Sequence, residues 1–218
     1  MNKKLIVATA ACAALLIGSI STSLAWLLDT TDEVKNTFST STLGVTLTET
    51  DPTLTTENKN VAGLNIQMVP GWTYHKDPKV TVNAKSEDCY VFLKVEKSAG
   101  LDTFLAYTIS DEWTVLQSAS TDTYTVYCRE YTKNNASQTY DILVEGTYNS
   151  YSYADNQVLV KPEITKEQMD AQTSNLTFTF TAYASQYWKN KNTNTKFEAL
   201  DAWNNVQDNP ANPSATNP

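Results

Sequence analysis

The chain has 218 residues, 41% hydrophobic and 18% charged, with 16 Lys+Arg against 24 Asp+Glu and a formal net charge of -8. With no basic block it lacks the phosphate-neutralising surface on which nucleic-acid binding runs, and one His with three Cys does not furnish the ligands of a zinc ribbon or finger. The 32 Thr and 12 Tyr favour pleated sheet over helix, and the length suits one domain with a sizeable core.

Residues 1–25 read as an export signal. Lys3 and Lys4 form a short basic start, and residues 5–17 are uncharged and mostly apolar. That run is shorter than the roughly 20 apolar residues of a membrane-spanning helix. Ser23-Leu24-Ala25 presents small residues where a signal peptidase reads, so cleavage is expected between Ala25 and Trp26. Removing 25 of 218 residues leaves 193, with 14 basic and 24 acidic side chains and a net charge of -10. No later segment approaches the length of a span, so no membrane span is expected after cleavage.

The rest reads as short strands of period-two alternation broken by turn residues. Leu43, Val45 and Leu47 share one face, and Leu64, Ile66 and Met68 another. Pro70-Gly71 supplies a turn. Val80, Val82 and Ala84 follow, then a charged turn over residues 85–88. The next strand puts Cys89, Val91, Leu93 and Val95 on one face and Tyr90, Phe92, Lys94 and Glu96 on the other. Residues 101–116 lack clean alternation and fit a strand, a short helix or both. Tyr124, Val126 and Cys128 share a face. Tyr140, Ile142 and Val144, or the offset pair Leu143 and Glu145, mark a further strand. Residues 146–156 read as loop or hairpin. Val158 and Val160 begin a strand that Pro162 stops. The clearest strand alternates Leu176, Phe178, Phe180, Ala182 and Ala184 with polar neighbours. Two capping-box patterns, Thr165 with Gln168 and Thr195 with Glu198, predict helices. The second is followed by an apolar stripe of Phe197, Leu200, Trp203 and Val206. The expected class is mainly β, an antiparallel β-sandwich or jelly roll with short helices, one of them near the C-terminus. The expected division is signal 1–25, N-terminal segment 26–42, sandwich 43–188, helical segment 189–206 and a disordered tail 207–218.

The chemistry-bearing residues are few. Export makes Cys89 and Cys128 candidates for a disulfide closing 38 residues, which in the loop-entropy picture contributes about 4 kcal/mol. Two buried free thiols are the alternative. His75 reads as a solvated loop residue, with a zinc or copper ligand as the sharper alternative that lacks partners nearby. No H-E-x-x-H, Gly-x-Ser-x-Gly or Gly-rich phosphate loop occurs, so no catalytic residue, metal site or cofactor is assigned. The pairs Asp32-Glu33, Glu87-Asp88 and Asp111-Glu112 read as solvated turn charge, since neighbours on a strand face opposite ways. Tyr148, Tyr151 and Tyr153 with Trp72 and Trp113 are the one candidate platform for a cell-wall or matrix polysaccharide, against simple coverage of sheet surface.

Three stretches carry a resemblance. They are Ala25-Trp26-Leu27-Leu28-Asp29 with Asn36-Thr37-Phe38 and Thr42-Leu43; Met68-Val69-Pro70-Gly71; and residues 176–184 followed by Gln186. Together they resemble the TasA/camelysin-like exported proteins of Gram-positive bacteria. Leu28 stands where an aromatic is common in that pattern, and Ser41 or Thr42 where Gly is common. The resemblance implies a jelly-roll domain, a signal cut by a dedicated ER-type signal peptidase, and placement in an extracellular matrix or at the cell surface. Some members build biofilm fibres by donating an N-terminal strand, which maps the assembly strand onto Trp26, Leu27, Leu28 and Phe38. Others carry a metallopeptidase label, against which the single His stands independently. The expected function is therefore a secreted, non-enzymatic matrix or surface protein that associates with itself or with related matrix proteins. The rivals are a polysaccharide-binding module and a camelysin-type secreted metallopeptidase.

Overall fold

Alternating Val, Thr and aromatic residues build two four-stranded antiparallel sheets that face each other. The structure is a computed structural model and describes residues 43–54, 60, 61 and 63–207. In chain order the first strands are β1 (Val45–Thr50), β2 (Asn60–Val61), β3 (Thr73–His75), β4 (Lys79–Val82) and β5 (Cys89–Lys97). Next come helix α1 (Leu101–Phe104), β6 (Leu105–Ala106), β7 (Thr108–Ile109), β8 (Thr114–Val115) and β9 (Tyr124–Tyr131). Then follow β10 (Gln138–Asp141), β11 (Leu143–Val144), β12 (Gly146–Tyr148), β13 (Tyr151–Tyr153) and β14 (Gln157–Val160). The chain finishes with α2 (Lys166–Ala171), β15 (Phe178–Gln186), β16 (Trp188–Asn190), β17 (Thr195–Lys196) and α3 (Ala199–Gln207).

One sheet has the order β10-β4-β1-β2 and the other β15-β5-β9-β8. The core lies between them. Val80 and Val82 of β4 meet Cys89, Val91, Leu93 and Val95 of β5, with Val45 and Leu47 of β1 and Phe180, Ala182 and Ala184 of β15 at its edges. The opposite face of β5 is buried as well. Tyr90 and Phe92 join Val126, Cys128 and Tyr183 under Ala202, Trp203 and Val206 of α3. Layering is thus sheet on sheet on helix, the β-sandwich expected, with both faces of β5 shielded from water. A third sheet, β3-β14-β6, flanks the first two.

Residues 101–116 form both a helical turn and short strands, and residues 146–156 form the β12–β13 hairpin with Asn149 at φ 54. The Thr165 capping box forms in full. Two expectations fail. Leu64, Ile66 and Met68 turn inward at period two, yet residues 63–69 join no sheet. Thr195 does not cap a helix; it lies in β17, paired with Asn190, and Phe197 N donates to Tyr187 O at 3.0 Å. The ladder captures these residues first, and helical bonding starts with Ala202 N donating to Glu198 O at 3.0 Å.

Candidate functional site

Among the described residues the sandwich is open on one side. β15 is an edge strand among the described strands, paired with β5 along all nine residues. β1 lies against it. Among the described strands, β1 pairs beyond β4 only with the two residues of β2, at Glu49 and Thr50. Between these edges is a hollow of about 350 Å³, bounded by Leu47 and Glu49 on one side and by residues 176–180 on the other. A second hollow of about 320 Å³ continues from it over the face of β3 and β14, where Tyr74, Val158 and Val160 form the floor. Leu64 and Lys76 line both hollows.

The polar groups here anchor the end of β1. Lys76 Nζ is 2.8 Å from Glu49 Oε1, and the two side chains are only 11% and 12% exposed. The ammonium also sits 5.2 Å from the Phe180 ring centroid and 5.9 Å from that of Phe178. Asp77 is buried and accepts from Thr50 twice, from N at 2.8 Å and from Oγ1 at 2.7 Å. His75 Nε2 lies 3.1 Å from Asp77 Oδ1 and 3.4 Å from Thr50 Oγ1. His75 is therefore a half-buried strand residue of β3 in a carboxylate contact, not a free loop side chain. Among the described residues no group of three His, Cys, Asp or Glu is placed to hold a metal ion.

The other residues singled out in the sequence scatter. Cys89 and Cys128 are both buried free thiols, which corrects the disulfide expectation. Their strands are neighbours, but Cys128 pairs with Phe92 and Cys89 with Tyr131. Cys89 thus faces the inter-sheet core and Cys128 the α3 layer, through opposite faces of one sheet. Burial pushes each thiol up to about 12, with Asp88 adding to the effect at Cys89 and Glu130 at Cys128.

The five-aromatic platform is not assembled. Trp113 is in the core and donates from Nε1 to Asp141 O at 3.1 Å, and Tyr153 is buried with its hydroxyl 2.8 Å from Thr108 Oγ1. Tyr148 is half-buried and bonded to Glu163. Only Trp72 and Tyr151 are well exposed, at 62% and 46%. Of the acidic pairs, Glu87 bonds Lys133, and Glu112 Oε2 lies 3.0 Å from Arg129 Nη1. Asp88 accepts from Lys133 N at 2.9 Å and Trp188 Nε1 at 2.7 Å. Those bonds, the backbone one first, hold its carboxyl below the usual range.

Ala25, Trp26, Leu27, Leu28 and Phe38, the Asp32-Glu33 pair and residues 208–218 of the tail all lie outside the described residues. Glu49, Thr50, Lys76 and Asp77 belong to no motif. Their only mark in the sequence is a Lys-Asp-Pro run ahead of β4. Among the described residues no helix is long and apolar enough to cross a membrane. No family model, curated protein or solved structure matches the chain.

Proposed function

We propose that this chain is an exported, non-enzymatic structural protein of a cell surface or extracellular matrix. One copy lodges its N-terminal segment, residues 26–42, against the open side of the next. The carrying observation is the nine-residue edge strand β15 beside a hollow of about 350 Å³. Edge strands offer backbone donors and acceptors to an incoming strand, and the hollow receives alternate side chains. Head-to-tail donation does not close on itself, so the product is a filament. The signal-like residues 1–25 and the resemblance to TasA/camelysin-like exported proteins support the same reading. A lone His and the missing H-E-x-x-H support a structural role over a peptidase.

Electron microscopy of the chain starting at Trp26, beside a chain starting at Leu43, tests the proposal. Filaments are expected from the first only. Monomers from both, under all salt and pH conditions, refute it. Chelator-sensitive casein cleavage lost on His75→Ala would establish the peptidase reading instead. Glycan-array binding lost on Trp72→Ala with Tyr151→Ala would establish the polysaccharide reading.

A further inference from the structure

We propose that residues 63–69 are a resident strap that walls one side of the acceptor groove in the isolated molecule and swings out to widen it when the strand of a second copy lodges there. This rests on the assembly reading above and adds how assembly is held in check.

The strap is extended. Leu64, Ile66 and Met68 are half-buried, while Gly63, Asn65, Gln67 and Val69 are exposed, the period-two pattern of a strand on an apolar face. It nonetheless forms no ladder with any described strand. Among the described residues its backbone tie ahead of the closing turn is a side-chain bond, Tyr74 Oη donating to Gln67 O at 2.7 Å. Among the described residues it is therefore held by three apolar side chains and a single hydroxyl. Segments with few buried contacts and solvent-facing backbone open at low local free energy, while the sheets beneath stay closed.

Its position is what gives this consequence. Leu64 forms part of the wall of the hollow beside β15, of the hollow over β3 and β14, and of a third beside His75. Ile66 and Met68 line the second hollow together with Tyr74 and Val158. Leu64 shares the lining of the first hollow with Phe178 and Phe180, so a strand adding to the edge there comes beside it. The C-terminal end of the strap is a ready hinge. Trp72 N donates to Val69 O at 3.1 Å, and Gly71 turns the chain at φ 81, a conformation that costs Gly little. The incoming strand brings what the strap lacks, backbone bonds to the β15 edge, together with alternate apolar side chains for the same floor. The partner it fits is thus an extended segment of a second copy with large apolar residues two apart.

The test uses the chain starting at Trp26, with Leu64→Ser/Ile66→Ser and, separately, Tyr74→Phe. Binding of an apolar fluorescent dye and the urea midpoint are both measured, neither of which needs assembly. Loss of one hydrogen bond shifts the opening equilibrium by about fivefold. Dye binding is therefore expected to rise about fivefold in Tyr74→Phe and further in the double variant, with the midpoint close to that of the parent. In the same variants the lag before filament growth is expected to shorten. Unchanged dye binding, or a midpoint lowered as far as by the core truncation Val82→Ala, overturns the strap. If no variant forms filaments, the assembly reading fails, and the dye and urea measurements still decide whether the strap opens.

Discussion

Lys76 shows how much a single buried charge can carry. Its ammonium is nearly enclosed and satisfied by Glu49 at 2.8 Å and by the faces of Phe178 and Phe180. Lys76→Met leaves Glu49 buried without its counter-charge and is expected to lower unfolding stability by about 3 kcal/mol. Lys76→Met/Glu49→Leu is expected to recover most of that loss in urea titrations, because the desolvation cost leaves with both charges. A double variant no better than the single one would show that the pair is not coupled. Asp88 makes a different case. Its carboxyl is held low by the Lys133 N–H first, then by the Trp188 indole and Lys191. A depressed carboxyl stabilises the fold above its unfolded value, near 3.9, and the contribution is lost as pH falls through its lowered folded value. Asp88→Asn is expected to cost about 1–3 kcal/mol at pH 7 and to flatten the acid limb of the stability profile below about pH 4. An unchanged acid limb would contradict that role. The two thiols pushed up to about 12 are expected to resist a thiol reagent at pH 8 until the chain unfolds, and reductant is expected to leave the melting temperature where it was. A drop in melting temperature on reduction would contradict the free-thiol arrangement.

At the scale of elements, what could be read depended on whether burial alone shaped the pattern. The two faces of β5 were readable residue by residue, because a strand covered on both sides still alternates between two different neighbours, the facing sheet and α3. The apolar stripe of α3 was readable for the same reason, though its start was not. Thr195 carries a cap pattern, but pairing of Trp188 with Lys196, and the Lys196 ammonium 4.3 Å from the Tyr187 ring centroid, hold that stretch in a hairpin. Alternation at Leu64, Ile66 and Met68 correctly placed three side chains inward and said nothing about ladder bonds, since periodicity reports burial and not pairing. The cysteines expose the same gap. The face of each within its own strand was evident, but the cross-strand register that sets Cys128 beside Phe92 was not. The polar anchor of the groove was invisible because its bonded partners, Glu49 with Lys76 and Thr50 with Asp77, are each 27 residues apart and ordinary in type. The helix itself offers a check. Trp203 packs edge-on to Phe92 and Tyr183, each with ring centroids 5.4 Å away. Trp203→Ala is expected to cost about 3–5 kcal/mol in chemical denaturation. A loss near zero would mean that α3 does not seal the outer face of the sheet.

For the whole molecule, charge and edge act against each other. The chain carries a net -8, and removal of residues 1–25 takes two Lys and leaves -10. Like-charged copies repel at a distance, while the groove and the β15 edge act only on contact. At about 10 mM salt the Debye length is about 30 Å, so the whole surface of one copy feels the next; at about 150 mM it is about 8 Å, and only neighbouring groups do. Filament growth from the chain starting at Trp26 is therefore expected to accelerate steeply between these two concentrations and to level off above them, once screening is complete. Light scattering against salt measures this directly. Growth that slows with salt would mean that opposite charges hold the copies together, which a backbone ladder on the β15 edge does not require. Growth that keeps rising up to molar sulfate, with no plateau, would mean that non-specific apolar association drives it rather than a strand finding its edge.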